Sequence, residues 1–157
     1  SWWNASTASS RARRRNGEPA LRVDGPLGAP PALVTAFDAH LVRIAVWGLA
    51  SLLVGALVLV RRRDVGFWRH FGIQAAAWGA VNLVLALAGR AGSPPSAAFL
   101  WVNVGLDAGY VGVAATLILT GRRFGAAGLR GAGWAIVPQG LFLLAADLLY
   151  LAERNWT

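Results

Sequence analysis

Polar and aromatic side chains recur at helical spacing inside stretches of the sequence that are otherwise apolar. Asn103, Asp107 and Tyr110 are four and three residues apart, so one helix face carries all three. Lipid offers such groups no hydrogen-bond partners, and an intramembrane carboxyl is therefore a candidate for ligand binding or proton transfer. Other apolar stretches carry similar side chains, which predicts a polar intramembrane layer or possible ligand site. Its predicted members are Gln74, Trp78, Asn82, Asn103, Asp107, Tyr110 and Gln139.

The same layer also has a purely structural interpretation. Hydrogen bonds between membrane helices contribute about 1 kcal/mol or less each, which is enough to fix the register of the helices. Under this interpretation Asp107 belongs to a hydrogen-bonded layer with the amides of Asn82, Asn103 and Gln139 and the indole of Trp78. Sequence alone leaves the two interpretations open.

Four apolar runs must position these groups. Each is close to the roughly 20 residues that a helix needs to cross about 30 Å of hydrocarbon. The breaks between them are short and rich in Arg, Gly or Pro, so consecutive helices should be antiparallel. The predicted fold class is all-α, an up-down four-helix transmembrane bundle with a flexible N-terminal arm. The predicted spans are residues 41–60, 67–88, 97–120 and 132–151.

Helical rise converts sequence positions into depths in the membrane. With both termini on the outer side, Asn82 and Asn103 fall about 9 Å below the outer edge. Asp107, Trp78 and Gln139 fall at about 15 to 18 Å, and Gln74 at about 21 Å.

Two charged residues lie nearer the outer edge. Arg43 is expected about 3 Å and Asp147 about 6 Å below it, which predicts a possible ion pair between them.

Arginine counts near the span ends predict the orientation. Seven Arg residues lie in or near the segments 61–66 and 121–131, against three close to the spans on the opposite side. Cationic residues concentrate on the cytoplasmic side of membrane proteins. Both termini are therefore expected outside the cytoplasm, and segments 61–66 and 121–131 inside it. The all-Arg, Ala/Gly/Leu-rich composition indicates a bacterial inner (plasma) membrane.

Composition excludes several kinds of cofactor chemistry. All 15 cationic residues are Arg, and the chain has no Cys. Without Lys there is no retinal or pyridoxal phosphate Schiff base, and without Cys there are no iron–sulfur clusters or thiolate metal sites. His40 and His70 should lie roughly 30 Å apart, so no haem is bridged by both and no shared metal site is expected.

Neither nucleic-acid binding nor an obvious catalytic group follows from the residues. The formal charge of +8 comes from Arg at the ends of apolar runs, where membrane topology explains it. An intramembrane aspartyl pair would need Asp107 and Asp147 to share a proton, and their depths differ by about 9 Å. The chain is therefore expected to be non-enzymatic, with an intramembrane enzyme as the least favoured class.

Outside the spans the sequence changes character. Residues 1–35 mix Ser, Gly, Pro, Arg and Trp without apolar periodicity, which predicts a flexible arm before the transmembrane domain at residues 36–152. Residues 153–157 form a short predicted C-terminal tail.

Small residues at helical spacing predict close helix packing. Gly105 and Gly109 form one such row and Ala75 and Gly79 another, suited to contacts within the chain or with another subunit. Pro138 interrupts one backbone hydrogen bond of its helix and could kink it.

Three segments together resemble a family of small, uncharacterised bacterial membrane proteins with four spans. They read "FWRHFGIQAAAWGAVNLVLAL", "NVGLDAGYVG" and "VPQGLFLLAADLLY", and the resemblance covers roughly residues 36–152. It implies the four-span fold but no activity. It is carried by Phe67, Trp68, Arg69, Gln74, Trp78, Asn82, Asn103, Asp107, Tyr110, Gln139 and Asp147.

Two functions remain as hypotheses. The first is a structural or accessory subunit of a bacterial membrane complex, with the lipid bilayer and another membrane subunit, or a second copy in a homodimer, as partners. The alternative is a small-molecule binding or transport protein with a polar intramembrane site, acting as a homodimer.

Overall fold

The computed structural model describes residues 31–62 and 64–155 and contains four helices in that part of the chain. They are α1 (Pro31–Arg62), α2 (Gly66–Arg90), α3 (Ala97–Arg123) and α4 (Ala127–Asn155). The predicted all-α fold with four helices is confirmed. All four are long and apolar enough to cross a membrane, which indicates an integral membrane protein.

The helices extend beyond the apolar runs from which they were predicted. α1 begins at Pro31, so residues 31–35 of the predicted arm are helical, while residues 1–30 lie outside the described part. α4 runs through Pro138 and continues to Asn155, which includes most of the predicted tail. Its additional C-terminal turn brings Glu153 into the bundle.

Local sequence signals set the helix ends. Arg side chains occupy the last turns of α1, α2, α3 and α4, where they complement the helix dipole and mark the edge of the apolar region. Ser96 caps α3 by accepting a hydrogen bond from the Phe99 backbone N–H at 3.2 Å. Gly125, at φ +66°, makes the turn from α3 to α4 in a conformation that side chains with a Cβ rarely adopt.

Glycines allow α1 and α2 to pack with their backbones almost in contact. A Cβ added at Gly79 would lie 2.6 Å from the carbonyl oxygen of Gly48, and one at Gly55 would lie 2.7 Å from that of Gly72. The predicted Ala75/Gly79 row therefore serves packing inside the chain, in the close-approach mode that small residues permit.

α4 is the central helix and packs against all three others. Its glycines again allow close approach, because a Cβ at Gly133 would lie 2.7 Å from the carbonyl oxygen of Ala114 on α3. Among the described residues, no Cα of α2 comes within 8 Å of a Cα of α3. The bundle is therefore open along the α2–α3 side, and this opening forms the candidate site.

Candidate functional site

A cavity of about 360 Å³ occupies the space between α2 and α3. It lies in the half of the bundle that holds the α2–α3 loop, with α1 and α4 forming its back wall. Leu85, Phe99 and Leu106 line it and are each more than half exposed, so the cavity opens sideways toward the lipid. Its volume falls in the range of roughly 300 to 1,000 Å³ typical of small-molecule sites.

Polar side chains from all four helices line this mainly apolar cavity. Asp107 is 5% exposed and Asn82 is fully buried. Asn103 is half-buried on the same face of α3 as Asp107. The polar groups that the four helices contribute are His40, Asn82, Asn103, Asp107 and Asp147.

Two buried polar atoms of the cavity lining have no hydrogen-bond partner within the described residues. Oδ2 of Asp107 and Oδ1 of Asn82 are both buried and unpartnered, and both side chains line the cavity. Buried polar groups are hydrogen-bonded in the great majority of cases. Two unpartnered atoms at one cavity therefore mark it as a place where a ligand could supply the missing bonds.

Gln139 connects α4 to α1 and α2 through three hydrogen bonds. Its Oε1 accepts from the indole Nε1 of Trp47 at 2.7 Å and from Nδ2 of Asn82 at 3.1 Å. Its Nε2 donates to Oγ of Ser51 at 2.8 Å. These bonds hold Asn82 in place from the side facing away from the cavity.

The hydrogen-bonded layer therefore differs from the predicted one. It joins Trp47, Ser51, Asn82 and Gln139, whereas Asp107 was expected to bond with Asn82, Asn103, Gln139 and the indole of Trp78. Depth matching compares positions along the helices and could not tell which helices face each other. The cavity separates α2 from α3 at Asn82, Asn103 and Asp107, so these three side chains do not bond to one another across it.

Aromatic rings close the inner end of the cavity. Trp78 on α2 and Tyr110 on α3 meet edge to face, with ring centroids 4.8 Å apart and an interplanar angle of 68°. This geometry is a preferred one for aromatic pairs. It is a ring contact that bridges the two helices at the end of the cavity opposite the α2–α3 loop.

The charged groups near the C-terminal end of α4 pair differently from the prediction. The two terminal guanidinium nitrogens of Arg43, Nη1 and Nη2, donate to the carboxylate of Glu153 at 3.0 and 2.6 Å. Asp147 instead faces His40, with Oδ1 3.4 Å from Nε2. The predicted Arg43–Asp147 ion pair is therefore wrong, because the extension of α4 brings Glu153 to Arg43 in a two-pronged geometry that favours Arg–carboxylate pairs.

His40 is buried at the end of the bundle that holds the α2–α3 loop. It is 7% exposed and stacks on the fully buried Tyr150, with ring centroids 4.8 Å apart. His70 lies exposed near the opposite end of the bundle, where its Nδ1 is 2.8 Å from the Gly66 carbonyl oxygen. The two histidines are not brought together.

A smaller cavity of about 130 Å³ lies behind the Gln139 cluster, on the α1–α2–α4 side. Pro138 and Trp47 line it together with mainly apolar neighbours. Its lining has few polar groups, so it offers a ligand little beyond apolar contact.

The structure gathers most, but not all, of the predicted site residues. Trp78, Asn82, Asn103, Asp107 and Tyr110 line the larger cavity, as does Asp147 from the predicted ion pair. Gln139 reaches it indirectly through Asn82, and Gln74 lines neither cavity.

Sequence reasoning missed four residues of this region: Trp47, Ser51, His40 and Glu153. Trp47 and Ser51 are four residues apart on one face of α1, next to Gly48 and Gly55. This helical spacing was the feature of the sequence that could have identified them. Residues of these types are common in membrane helices, so the spacing alone did not distinguish them.

The polar side chains of the cavity lining determine which chemistry the cavity offers. Within residues 31–62 and 64–155, no three His, Cys, Asp or Glu side chains group in a way that could hold a metal ion. Asp107 and Asp147 line the same cavity from α3 and α4. The chemistry that these residues offer is hydrogen bonding and charge complementarity to a molecule that fills the cavity.

Comparisons with known proteins identify a family but no activity. No curated protein and no solved structure matches the chain. Residues 43–148 match the family of unknown function DUF6992, and this segment includes the whole Gln139 cluster together with Asp107 and Asp147. Because the match spans more than half of its residues, the chain belongs to the DUF6992 family.

Proposed function

We propose that this protein is a non-catalytic membrane protein that binds a lipid-soluble small molecule in the cavity between α2 and α3. The observation that carries the proposal is the pair of buried, unpartnered polar atoms on Asp107 and Asn82 at a cavity of about 360 Å³. An unpartnered carboxyl oxygen within a membrane helix lowers the stability of the protein, because a polar group in hydrocarbon is costly. A bound molecule that donates a hydrogen bond to this oxygen removes that cost.

The ligand reaches the cavity from the bilayer. The exposed lining residues Leu85 and Leu106 flank an opening that faces lipid, because α2 and α3 do not touch there. The outer end is covered by the α2–α3 loop, which Arg154 holds by donating to the Pro95 carbonyl oxygen at 2.8 Å. Entry between the helices therefore requires less rearrangement than entry from water past this loop.

The membrane and orientation follow from the sequence. The protein resides in a bacterial inner membrane with both termini outside the cytoplasm, which the Arg-rich segments 61–66 and 121–131 support. The cavity then lies in the outer half of the bilayer. This placement favours a molecule that resides in, or is delivered to, the outer leaflet.

Extraction of the purified protein tests the proposal. The protein is released gently from the membranes that contain it, and co-purified small molecules are extracted and identified by mass spectrometry. Wild type should carry one enriched molecule. Leu106→Trp, which fills the cavity from a residue that is already exposed, should lose it, and the matched control Leu119→Trp, on the same helix but outside the lining, should retain it.

Equal recovery from Leu106→Trp and Leu119→Trp would contradict the proposal, provided that both variants elute and melt as wild type does. So would a small-molecule content that does not differ from that of a control membrane protein.

A second candidate function is an accessory subunit of a membrane complex, and one observation favours it. Gly105, Gly109 and Gly112 lie on α3, and a Cβ added at any of them would meet nothing within 4 Å. In the described structure this small-residue face therefore has no packing role inside the chain. Such faces allow close approach of another membrane helix, from a second copy or a different protein.

Gly109→Leu tests this candidate without disturbing the cavity. The variant should keep the fold and the bound small molecule but lose a partner or a second copy in native mass spectrometry of gently solubilised membranes. Leu119→Trp, also on α3, is the control for a bulky change on this helix. An unchanged assembly state in Gly109→Leu would exclude the glycine face as the contact.

A further inference from the structure

We propose that the cavity selects a lipid-soluble amine, whose protonated nitrogen donates hydrogen bonds to Asp107 and Asn82 while its apolar body fills the rest of the space. This inference rests on the proposed function and names the chemical class of its ligand.

The orientation of the Asn82 amide follows from a chain of hydrogen bonds. An indole N–H can only donate, so the Gln139 atom 2.7 Å from Nε1 of Trp47 must be the carbonyl oxygen. The same oxygen lies 3.1 Å from the Asn82 amide, and an oxygen of this kind can only accept. Asn82 therefore turns its NH2 group toward Gln139, which leaves Oδ1 as the buried, unpartnered acceptor.

Asp107 supplies a second acceptor and a negative charge when ionised. Its Oδ2 is buried without a partner in the described part of the chain. Asp147 adds a further carboxyl to the same lining. Ionised Asp107 and Asn82 therefore each present an unpartnered acceptor, and a ligand group that donates hydrogen bonds satisfies both residues.

Cations are scarce at this lining. Among the described residues no Arg lines the cavity, since Arg43 is bound to Glu153 and Arg154 donates to the Pro95 carbonyl oxygen. The one basic side chain in the lining is His40, which faces Asp147 across 3.4 Å. A carboxylate or phosphate ligand would meet carboxyl groups and a fixed amide oxygen with no arginine to balance it.

The remainder of the lining is apolar and aromatic. Phe37, Leu41, Ile44 and Phe99 lie along the cavity, and Trp78 with Tyr110 closes its inner end. Such surroundings favour a compact apolar body over a polar chain. The ligand that satisfies both parts of the site is therefore an amine on a hydrophobic ring system or short chain.

A matched set of three probes tests the inference. The ligands 4-phenylbutylamine, 4-phenylbutan-1-ol and 5-phenylpentanoic acid share one apolar body, a phenyl ring with four methylenes, and differ only at the polar end. Binding to the full-length protein in detergent micelles is measured by isothermal titration calorimetry, with empty micelles as the blank. The amine should bind about tenfold more tightly than the alcohol, because hydrogen bonds between ionised groups are roughly twice as strong as neutral ones. The acid should show no saturable binding.

Two pairs of variants assign the binding to the cavity and to Asp107. Leu106→Trp should abolish amine binding, and Leu119→Trp should not. Asp107→Asn should weaken amine binding about tenfold and change alcohol binding less than threefold. Asp38→Asn, an exposed carboxyl on α1 outside the lining, should change neither.

The outcomes separate the inference from the proposed function. Acid or alcohol binding that equals or exceeds amine binding, and that Leu106→Trp removes, would overturn the amine preference while leaving the cavity as a binding site. Amine binding unaffected by Asp107→Asn would also overturn it. If none of the three probes binds saturably, both the amine preference and the proposed function are contradicted.

Discussion

The two sides of α2 meet their neighbours in opposite ways. Toward α1, glycines bring the two backbones so close that a Cβ at Gly79 would lie 2.6 Å from the Gly48 carbonyl oxygen. Toward α3, no Cα pair of the described helices comes within 8 Å, and a cavity of about 360 Å³ takes the place of packing. One helix thus combines a closed interface, which contributes to stability, with an open one, which is available for binding.

Asn82 lies where these two regions meet. Its amide nitrogen bonds to Gln139 on the closed side, and its carbonyl oxygen is left for the open side. Close packing of α1, α2 and α4 fixes one wall of the cavity. A small bundle can thereby keep a cavity that lowers its stability.

The largest expected effect comes from breaking the closed interface. Gly79→Leu should destabilise the bundle by more than about 3 kcal/mol, because its side chain would collide with the α1 backbone at Gly48 and Leu52 and force the helices apart. The measurement is thermal or SDS-induced unfolding in detergent.

Gly109→Leu is the control for this prediction, because the same change on the open face of α3 meets nothing within 4 Å. It should shift stability by less than about 0.5 kcal/mol. Equal destabilisation by both variants would remove the distinction between closed and open faces.

A smaller effect is expected from the polar cluster that supports Asn82. Gln139→Leu removes three hydrogen bonds and should cost about 2 kcal/mol, because hydrogen bonds between membrane helices average about 0.6 kcal/mol and their abandoned partners remain buried. The same unfolding assay measures it.

Gln74→Leu provides the comparison, since Gln74 lies on α2 two turns before Asn82 and its side chain makes no hydrogen bond within the described residues. It should change stability by less than about 0.5 kcal/mol. A Gln139→Leu protein as stable as Gln74→Leu would show that the cluster does not hold the helices together.

The smallest expected effect has the opposite sign. Asp107→Leu should stabilise the ligand-free protein by about 1 kcal/mol, because it removes a buried carboxyl oxygen that lacks a partner. The same variant should lose ligand binding. Binding sites commonly contain groups that lower the stability of the ligand-free protein, so removing such a group stabilises the protein and abolishes its function. A clear loss of stability would instead assign Asp107 to holding the fold.

The fold could be predicted because few backbone structures satisfy all their hydrogen bonds within lipid. Runs of about 20 apolar residues must form helices, and short breaks make consecutive helices antiparallel. Helix ends were less predictable, since α1 begins at Pro31 and α4 reaches Asn155 through polar residues that hydropathy excludes. The extension of α4 changed the partner of Arg43 from Asp147 to Glu153.

The site could be predicted in part, for a related reason. Helical spacing placed Asn103, Asp107 and Tyr110 on one face, and these residues line the cavity. Depth alone could not show that a cavity separates α2 from α3. Asp107 was therefore expected to hydrogen-bond to Asn82, but its Oδ2 has no partner within the described residues. Which helices touch depends on Gly48, Gly55, Gly72 and Gly79, whose pairing across two helices is a property of the folded bundle.

The preferred function also changed once the cavity was located. Sequence favoured an accessory subunit because it contained no catalytic constellation. The unpartnered atoms of Asp107 and Asn82 around one cavity now favour ligand binding, while the open glycine face of α3 keeps the accessory role as a second candidate.

The central claim is tested most directly by a crystallographic map of the protein grown in a lipid mesophase with its co-purified small molecules retained. The account predicts non-protein density between α2 and α3 within hydrogen-bond distance of Oδ2 of Asp107 and Oδ1 of Asn82, with Trp78 and Tyr110 at its inner end. A map in which α2 and α3 pack directly together, and Asp107 bonds to a neighbouring helix, would contradict it.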